Sequence, residues 1–154
     1  MFLDLVHFIA VVDTHGHLVG SQALRECGYL IGKIAEKYAA VPSRYGGDEY
    51  VLVLPKCDRE TLSAMAEEIR AQVECAVFVC EGEGVAPIIL DRRVTSSIGL
   101  ACLSQVEVTE RTPERLRQHL IRIADVAMYD AKALGKNRAH WHGEPRPQTR
   151  AVGR

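Results

Sequence analysis

Apolar and polar positions divide the chain into short apolar runs and longer stretches with helical spacing. Phe2 to Phe8 is apolar except for Asp4 and His7 and predicts a buried strand. Asp13-Thr14-His15-Gly16-His17 reads as a turn. From Leu18 to about Tyr38, Leu24, Cys27, Ile31, Ile34, Ala35 and Tyr38 recur at three- and four-residue steps, which predicts a helix ended by Pro42. Ser43 to Leu54 then predicts a hairpin folded at Gly46-Gly47, because adjacent glycines adopt positive φ at little cost.

Asp58 is placed to cap a second helix, with Leu62, Met65, Ile69 and Val73 on one face. Val77–Cys80 and Ile88–Leu90 are short strand candidates around Glu81-Gly82-Glu83-Gly84, a flexible-looking segment, and Val94–Leu103 is a longer one. Thr112-Pro113 starts a third helix, whose stripe is Leu116, Leu120, Ile123, Ala127, Met128 and Ala131 and whose end is Gly135. No periodicity continues beyond Trp141, so residues 1–142 are read as one domain and 143–154 as a flexible tail. The first strand begins at the first residue, which is read as the mark of a piece of something longer.

Composition narrows the functional classes. With 154 residues, 47% hydrophobic and 25% charged, the chain is long enough for one domain with a real core. A net charge of -1 supplies no global field for nucleic acid or an anionic membrane, so any anion site must be built locally. No apolar run approaches a membrane span, and the N-terminus does not resemble a signal peptide. Cys27, Cys57, Cys75, Cys80 and Cys102 are odd in number and lack C-x-x-C spacing, which argues against zinc and disulfide frameworks and for reduced thiols in a cytoplasmic protein.

Candidate chemistry sits in three places. Asp4 lies in a core strand, where an unpaired carboxylate is costly, so a cation or hydrogen-bond donors are expected beside it. Asp48 and Glu49 follow the two glycines at the start of the next strand. Period-two geometry sends them to opposite faces, and the bare glycines leave room for a ligand against the backbone. Carboxylates at such an opening suit a divalent metal carrying phosphates, while an ordinary polar hairpin tip is the alternative. Lys132 and Lys136 are four apart and are expected on one side of the third helix's end.

Arg44-Tyr45-Gly46-Gly47-Asp48-Glu49-Tyr50 closely resembles the signature of GGDEF domains, the diguanylate cyclases, with Tyr for the final Phe. Further motifs resemble that family in its own order: Phe2 to Phe8, Asp13 to His17, Val94-Thr95-Ser96-Ser97-Ile98-Gly99-Leu100, and Ala124-Asp125 through Met128-Tyr129-Asp130-Ala131-Lys132 to Arg138. The resemblance implies an α+β fold, a mostly antiparallel sheet of about five strands flanked by helices as in nucleotide cyclases and polymerase palms, lacking the family's helix before the first strand. It implies that two GTP molecules, one on each of two facing domains of a homodimer, become cyclic di-GMP and pyrophosphate. It also implies a pair of Mg²⁺ or Mn²⁺ ions, sensory domains in the full-length protein, which is compatible with membrane tethering, and no nucleic acid.

Carried over residue by residue, the resemblance gives Asp4, the Leu5 carbonyl, Asp48 and Glu49 to metal, with Asp48 and Glu49 as the catalytic acids. It gives the substrate His7, Phe8, His17, Ser21, Arg44, Gly46, Gly47, Lys132 and Lys136. Three positions depart from the family: Ile9 stands for Lys, Val12 for the guanine-binding Asn, and Ser21 for Asp. The inhibitory R-x-x-D falls on Lys37 and Ala40. A base edge left without partners costs ~1–3 kcal/mol per group, so weak or relaxed base selectivity is expected. An inactive domain that binds cyclic di-GMP or a nucleotide as a regulatory module is the alternative, and a ligand-free dimerisation module fits the intact acid pair least.

Overall fold

The computed structural model describes residues 1–82, 85–107 and 112–145. The order is β1 (Phe2–Val6), α1 (Phe8–Lys37), β2 (Val41–Gly46), β3 (Glu49–Val53), α2 (Arg59–Cys75), β4 (Val77–Gly82), β5 (Val85–Asp91), β6 (Thr95–Leu100), α3 (Pro113–Ala133) and β7 (Arg138–Trp141), with a single 3₁₀ turn at Leu103–Gln105. Five strands form one sheet in the order β2-β3-β1-β6-β7, and β4 and β5 form a separate hairpin. All pairings are antiparallel except β6 with β7. This is the expected α+β architecture.

Alternation along β1 assigns the two faces of the sheet. Leu3 and Leu5 are fully buried in the larger core with Val19, Ala23, Cys27 and Ile31 of α1 and Met65, Ile69 and Val73 of α2. Burial of each such side chain contributes ~1.5–3 kcal/mol. Phe2 points the other way, into a smaller core with Ile123, Ala124 and Met128 of α3. α3 approaches the sheet tightly at Gly99, where an added Cβ would collide with the backbone of Ala124 and Met128. A bare β6 backbone thus lets α3 lie directly on the sheet.

Several elements differ from the sequence expectation. β1 ends at Val6, because His7 adopts a left-handed conformation (φ 67) and Phe8 already begins α1. The expected turn at Asp13–His17 is a kink inside α1, with the only non-helical residue at Gly16 (φ 86, ψ 170). Pro42 lies within β2 rather than ending a helix. The hairpin at Gly46-Gly47 forms, but neither glycine has positive φ. Their value is bareness: nothing lies within 4 Å of a Cβ on Gly47.

The second and third helices start where their caps are expected. Asp58 accepts from Thr61 N–H at 2.7 Å, and Thr112 accepts from Arg115 N–H at 3.3 Å ahead of Pro113. α3 ends at Ala133, and three left-handed residues follow: Gly135 (φ 115), Lys136 (φ 62) and Asn137 (φ 44). Lys136 therefore lies past the helix and does not share a helical face with Lys132. β7 is an element the sequence did not announce. All five cysteines are free. Of the segments read as flexible, Glu83, Gly84 and residues 146–154 lie outside the described residues.

Candidate active site

The candidate site is built where the starts of β3 and α1 meet the end of α3. Asp4 and Glu49 are direct cross-strand partners in the β1–β3 ladder, so their side chains share the α3 face. Leu5 N–H donates to the carbonyl of Asp48 at 3.1 Å, which fixes the hairpin tip against β1. Lys132 Nζ, from the last turn of α3, lies 2.8 Å from Asp4 Oδ2. Asp4 is only 8% exposed, and of the cation or hydrogen-bond donors expected beside it the structure supplies a cation, Lys132.

Asp48 lies outside the strand, so period-two alternation does not set its side chain against that of Glu49. Asp48 sits in the turn ahead of β3, and both carboxylates feel Asp4 and Lys132. Burial, then the charge of Asp4, pushes Asp48 above the usual carboxylate range. Burial, then Asp4, Asp125 and Asp48, does the same to Glu49. Burial is the larger cause in both, with the charge of Asp4 added to it and that of Lys132 opposing it.

Arg44 closes the tip. Its Nε and Nη2 donate to Gly47 O at 2.9 and 2.7 Å, so its fork is engaged with the loop backbone. The tip itself stays open, since a Cβ on Gly46 would meet only Glu49 Oε2, at 3.5 Å. His7 is exposed, while Phe8 is buried in the core and can offer a ligand only its backbone. His17 and Ser21 are exposed on α1 beyond the kink. Lys136 is exposed on the left-handed turn after α3.

Two residues were missed in the sequence. Asp125 adds a charge beside Glu49, and it lies seven residues before Lys132 on α3, a spacing that puts both on one face. Ser97 is the cross-strand partner of Asp4 on β6 and is fully buried. A cleft of about 530 Å³ opens next to Glu49, lined among others by Phe2, Tyr45, Arg117, Arg122 and Asp125. A mostly apolar cavity of about 520 Å³ is lined by Leu54, Leu103 and Trp141 among others, and none of Asp4, Asp48 and Glu49 lines it.

The all-oxygen donor set of Asp4, Asp48 and Glu49 fits a hard divalent cation, and so does the excess of negative charge. Among the described residues, however, no group of three or more His, Cys, Asp or Glu side chains converges as a metal cage. Asp4 is held by Lys132 instead.

A family model for the diguanylate cyclase GGDEF domain matches residues 1–138. This chain is a GGDEF domain. It is similar to the probable diguanylate cyclase DgcT of Escherichia coli, at 32% identity over 90% of this chain and 28% of that protein. It is also similar to the diguanylate cyclase VdcA of Vibrio cholerae, at 30% identity over 90% of this chain and 37% of that protein. The GGDEF domain thus spans about a third of the curated relatives it matches. Among solved structures, it resembles the GGDEF domain of DgcB from Caulobacter crescentus in complex with cyclic di-GMP. That match has a TM-score of 0.74 at 28% identity, covering 93% of this chain and 76% of that one.

The positions read from the sequence as departures from the family pattern, Ile9, Val12 and Ser21, lie on α1. Ile9 is 67% exposed. Val12 is half-buried and leans over Gly20, where an added Cβ would fall 2.5 Å from its Cγ2. At the positions of the inhibitory motif, Lys37 is engaged by Glu68 at 2.8 Å, and Ala40 packs against the core. The signature's Tyr50 is buried, and its hydroxyl donates to Leu24 O at 3.2 Å. Among the described residues, no helix is long and apolar enough to cross a membrane.

Proposed function

We propose that this GGDEF domain is a diguanylate cyclase module with weak or relaxed base selectivity, which converts two GTP to cyclic di-GMP. The observation that carries this reading is the Lys132–Asp4 pair beside Asp48 and Glu49, a cation and three carboxylates at a bare glycine tip. In this reading Asp4, the Leu5 carbonyl, Asp48 and Glu49 hold Mg²⁺ or Mn²⁺. When bound, the metal supplies charge stabilisation on the phosphates.

The chain's own groups do the rest. Gly46 and Gly47 let the nucleotide lie on the backbone, with the amides near His7 and Phe8 facing the phosphates. Asp48 accepts the proton of the 3′-hydroxyl. That oxygen bonds to the α-phosphorus of a GTP on a second copy, the α–β phosphoanhydride breaks, and pyrophosphate leaves. Lys132 and Lys136 stabilise the charge of the departing pyrophosphate. His17 and Ser21 face the base, where Val12 offers no hydrogen bond. Because each GTP supplies the other's nucleophile, the active species is a dimer, arranged by sensory domains in a longer protein.

Incubation with GTP or ATP plus Mg²⁺ or Mn²⁺, followed by chromatography, tests the proposal. Cyclic di-GMP from GTP, with some product from mixed nucleotides, is expected. No dinucleotide at high protein concentration, with the domain in a dimerised form, overturns it.

A second reading is favoured by Ile9, Val12 and Ser21: a non-catalytic domain that binds cyclic di-GMP or a nucleotide and transmits its presence. Calorimetry with cyclic di-GMP separates the readings, because strong binding without turnover supports the second. Since Lys37 is tied to Glu68 and Ala40 cannot hydrogen-bond through its side chain, product inhibition at that position is expected to be absent.

A further inference from the structure

Lys136 stands on an unusual piece of backbone. Gly135, Lys136 and Asn137 are three consecutive left-handed residues, and only the first is glycine. Side-chain-bearing residues in this region carry a conformational cost and persist where the surroundings fix them. The α3 end supplies one anchor: Lys136 N–H donates to Ala131 O at 3.0 Å, closing the helix. The other anchor comes from a different helix. Asn137 Nδ2 donates to Glu74 Oε1 at 2.8 Å, and Arg70 Nη1 donates to Asn137 Oδ1 at 3.2 Å. Arg70 Nη1 also donates to Glu74 Oε2 at 2.6 Å, which closes the three side chains into a ring of hydrogen bonds. Arg70 and Asn137 hold the Glu74 carboxyl below its ordinary range, as a carboxylate with committed partners should be.

We propose that Asn137, held by Glu74 and Arg70 of α2, is the positioning residue for Lys136. It fixes the turn that aims the ammonium at the terminal phosphates of a nucleoside triphosphate. The proposal rests on the phosphate role given to Lys136 above. A flexible lysine on a mobile turn loses conformational entropy when it meets a phosphate, whereas a turn already fixed by its neighbours has lost most of that freedom in advance. The ring also ties the end of α3 to α2, and the amide of Asn137 is committed to it through both its oxygen and its nitrogen. Asn137 therefore acts through Lys136 and without contact to the substrate.

The test compares GTP with GMP, because only GTP presents the β- and γ-phosphates. Affinities are measured by calorimetry in Mg²⁺ for the full chain and for Lys136→Ala, Asn137→Ala and the double variant, with thermal unfolding as the check on folding. Lys136→Ala should lower the GTP-over-GMP preference about tenfold, the scale of one charge-assisted contact. Asn137→Ala should lower it about three- to tenfold. In the Lys136→Ala background, Asn137→Ala should change it no further. If Asn137→Ala unfolds, Glu74→Ala removes the same anchor from the α2 side and should give the same loss.

An unchanged preference in a folded Asn137→Ala or Glu74→Ala variant overturns the proposal, since a merely structural ring alters stability alone. Additive losses in the double variant overturn it too. If Lys136→Ala itself leaves the preference intact while GTP still binds, the phosphate role of Lys136 is refuted and the proposal falls with it. Turnover of GTP by the wild-type chain is scored separately.

Discussion

Lys132 on α3 and Asp4 on β1 form an ion pair at 2.8 Å across the helix–sheet interface, with Asp4 almost wholly out of solvent. The pair does two jobs in one contact: it satisfies a core carboxylate, and it brings the end of α3 to the hairpin tip. Lys132→Met should destabilise the metal-free domain by about 1–3 kcal/mol, because the buried Asp4 side chain loses its partner. Asp4→Asn in the same chain should recover part of that loss. Urea unfolding of the two single variants and the double variant measures the coupling.

The carboxylates at the tip give a pH dependence. Asp48 and Glu49 titrate above their ordinary values, mainly through burial. Between the unfolded and folded pKa values the native state therefore binds more protons than the unfolded chain. Their contribution to stability is present below the unfolded value and is lost as pH rises through the folded one. In chelator, the melting temperature of the wild-type domain should fall across that window more steeply than that of Asp48→Asn. Added Mg²⁺ should reduce the difference. Equal slopes with and without Asp48 would contradict the crowding of charge.

Gly99 is the hinge between packing and site. An added Cβ there meets the backbone of Ala124 and Met128, which cannot rotate away. Gly99→Ala should cost about 3 kcal/mol or more of stability. Where the protein still folds, α3 must move off β6 and carry Lys132 away from Asp4. GTP affinity should then fall as well, which calorimetry reads.

Tyr50 and Gly28 are a matched pair. A Cβ on Gly28 would come within 3.3 Å of Tyr50 Oη, whose hydrogen reaches Leu24 O one turn earlier. Replacing a helical glycine by alanine gains up to about 1 kcal/mol when there is room. Gly28→Ala should be close to neutral in the wild type and stabilising in a Tyr50→Phe background. Thermal melts of the four combinations test it. Tyr50→Phe alone should cost about 1 kcal/mol, since it removes one buried hydrogen bond.

Thiol reactivity should follow burial. Burial pushes the Cys27 thiol up to about 12, whereas Cys57 and Cys75 are exposed. Alkylation of the native protein at pH 8 should label Cys57 and Cys75 and spare Cys27 until the protein is unfolded. Mass spectrometry of the digested protein checks the order.

Local chemistry made much of this legible in the sequence. Asp58 and Thr112 announce their helices because a cap is a property of a few adjacent residues. The apolar face of α2 is legible for the same reason. What resisted reading depended on partners far along the chain. β7 has only four residues, and its identity as a strand comes from parallel pairing with β6. The turn expected at Gly16 became a kink because the flanking residues on both sides remain helical. Asp4 could be flagged as needing a cation, but that the cation is Lys132 is a fact of tertiary packing. The candidate site residues were named as a set through family resemblance. The rest, Asp125 beside Glu49 and Asn137 behind Lys136, required the fold.

Pro42 carries a consequence beyond local conformation. β2 is one edge of the five-stranded sheet, and Pro42 is the partner of Leu52 on β3. Leu52 directs its own N–H and carbonyl toward β1, to Met1. Across from it, the nitrogen of Pro42 therefore faces outward, along the open rim. Where another chain would lay down a further strand, the rim lacks a donor and presents a rigid ring instead. Joining of two sheets edge to edge is thereby discouraged along this rim.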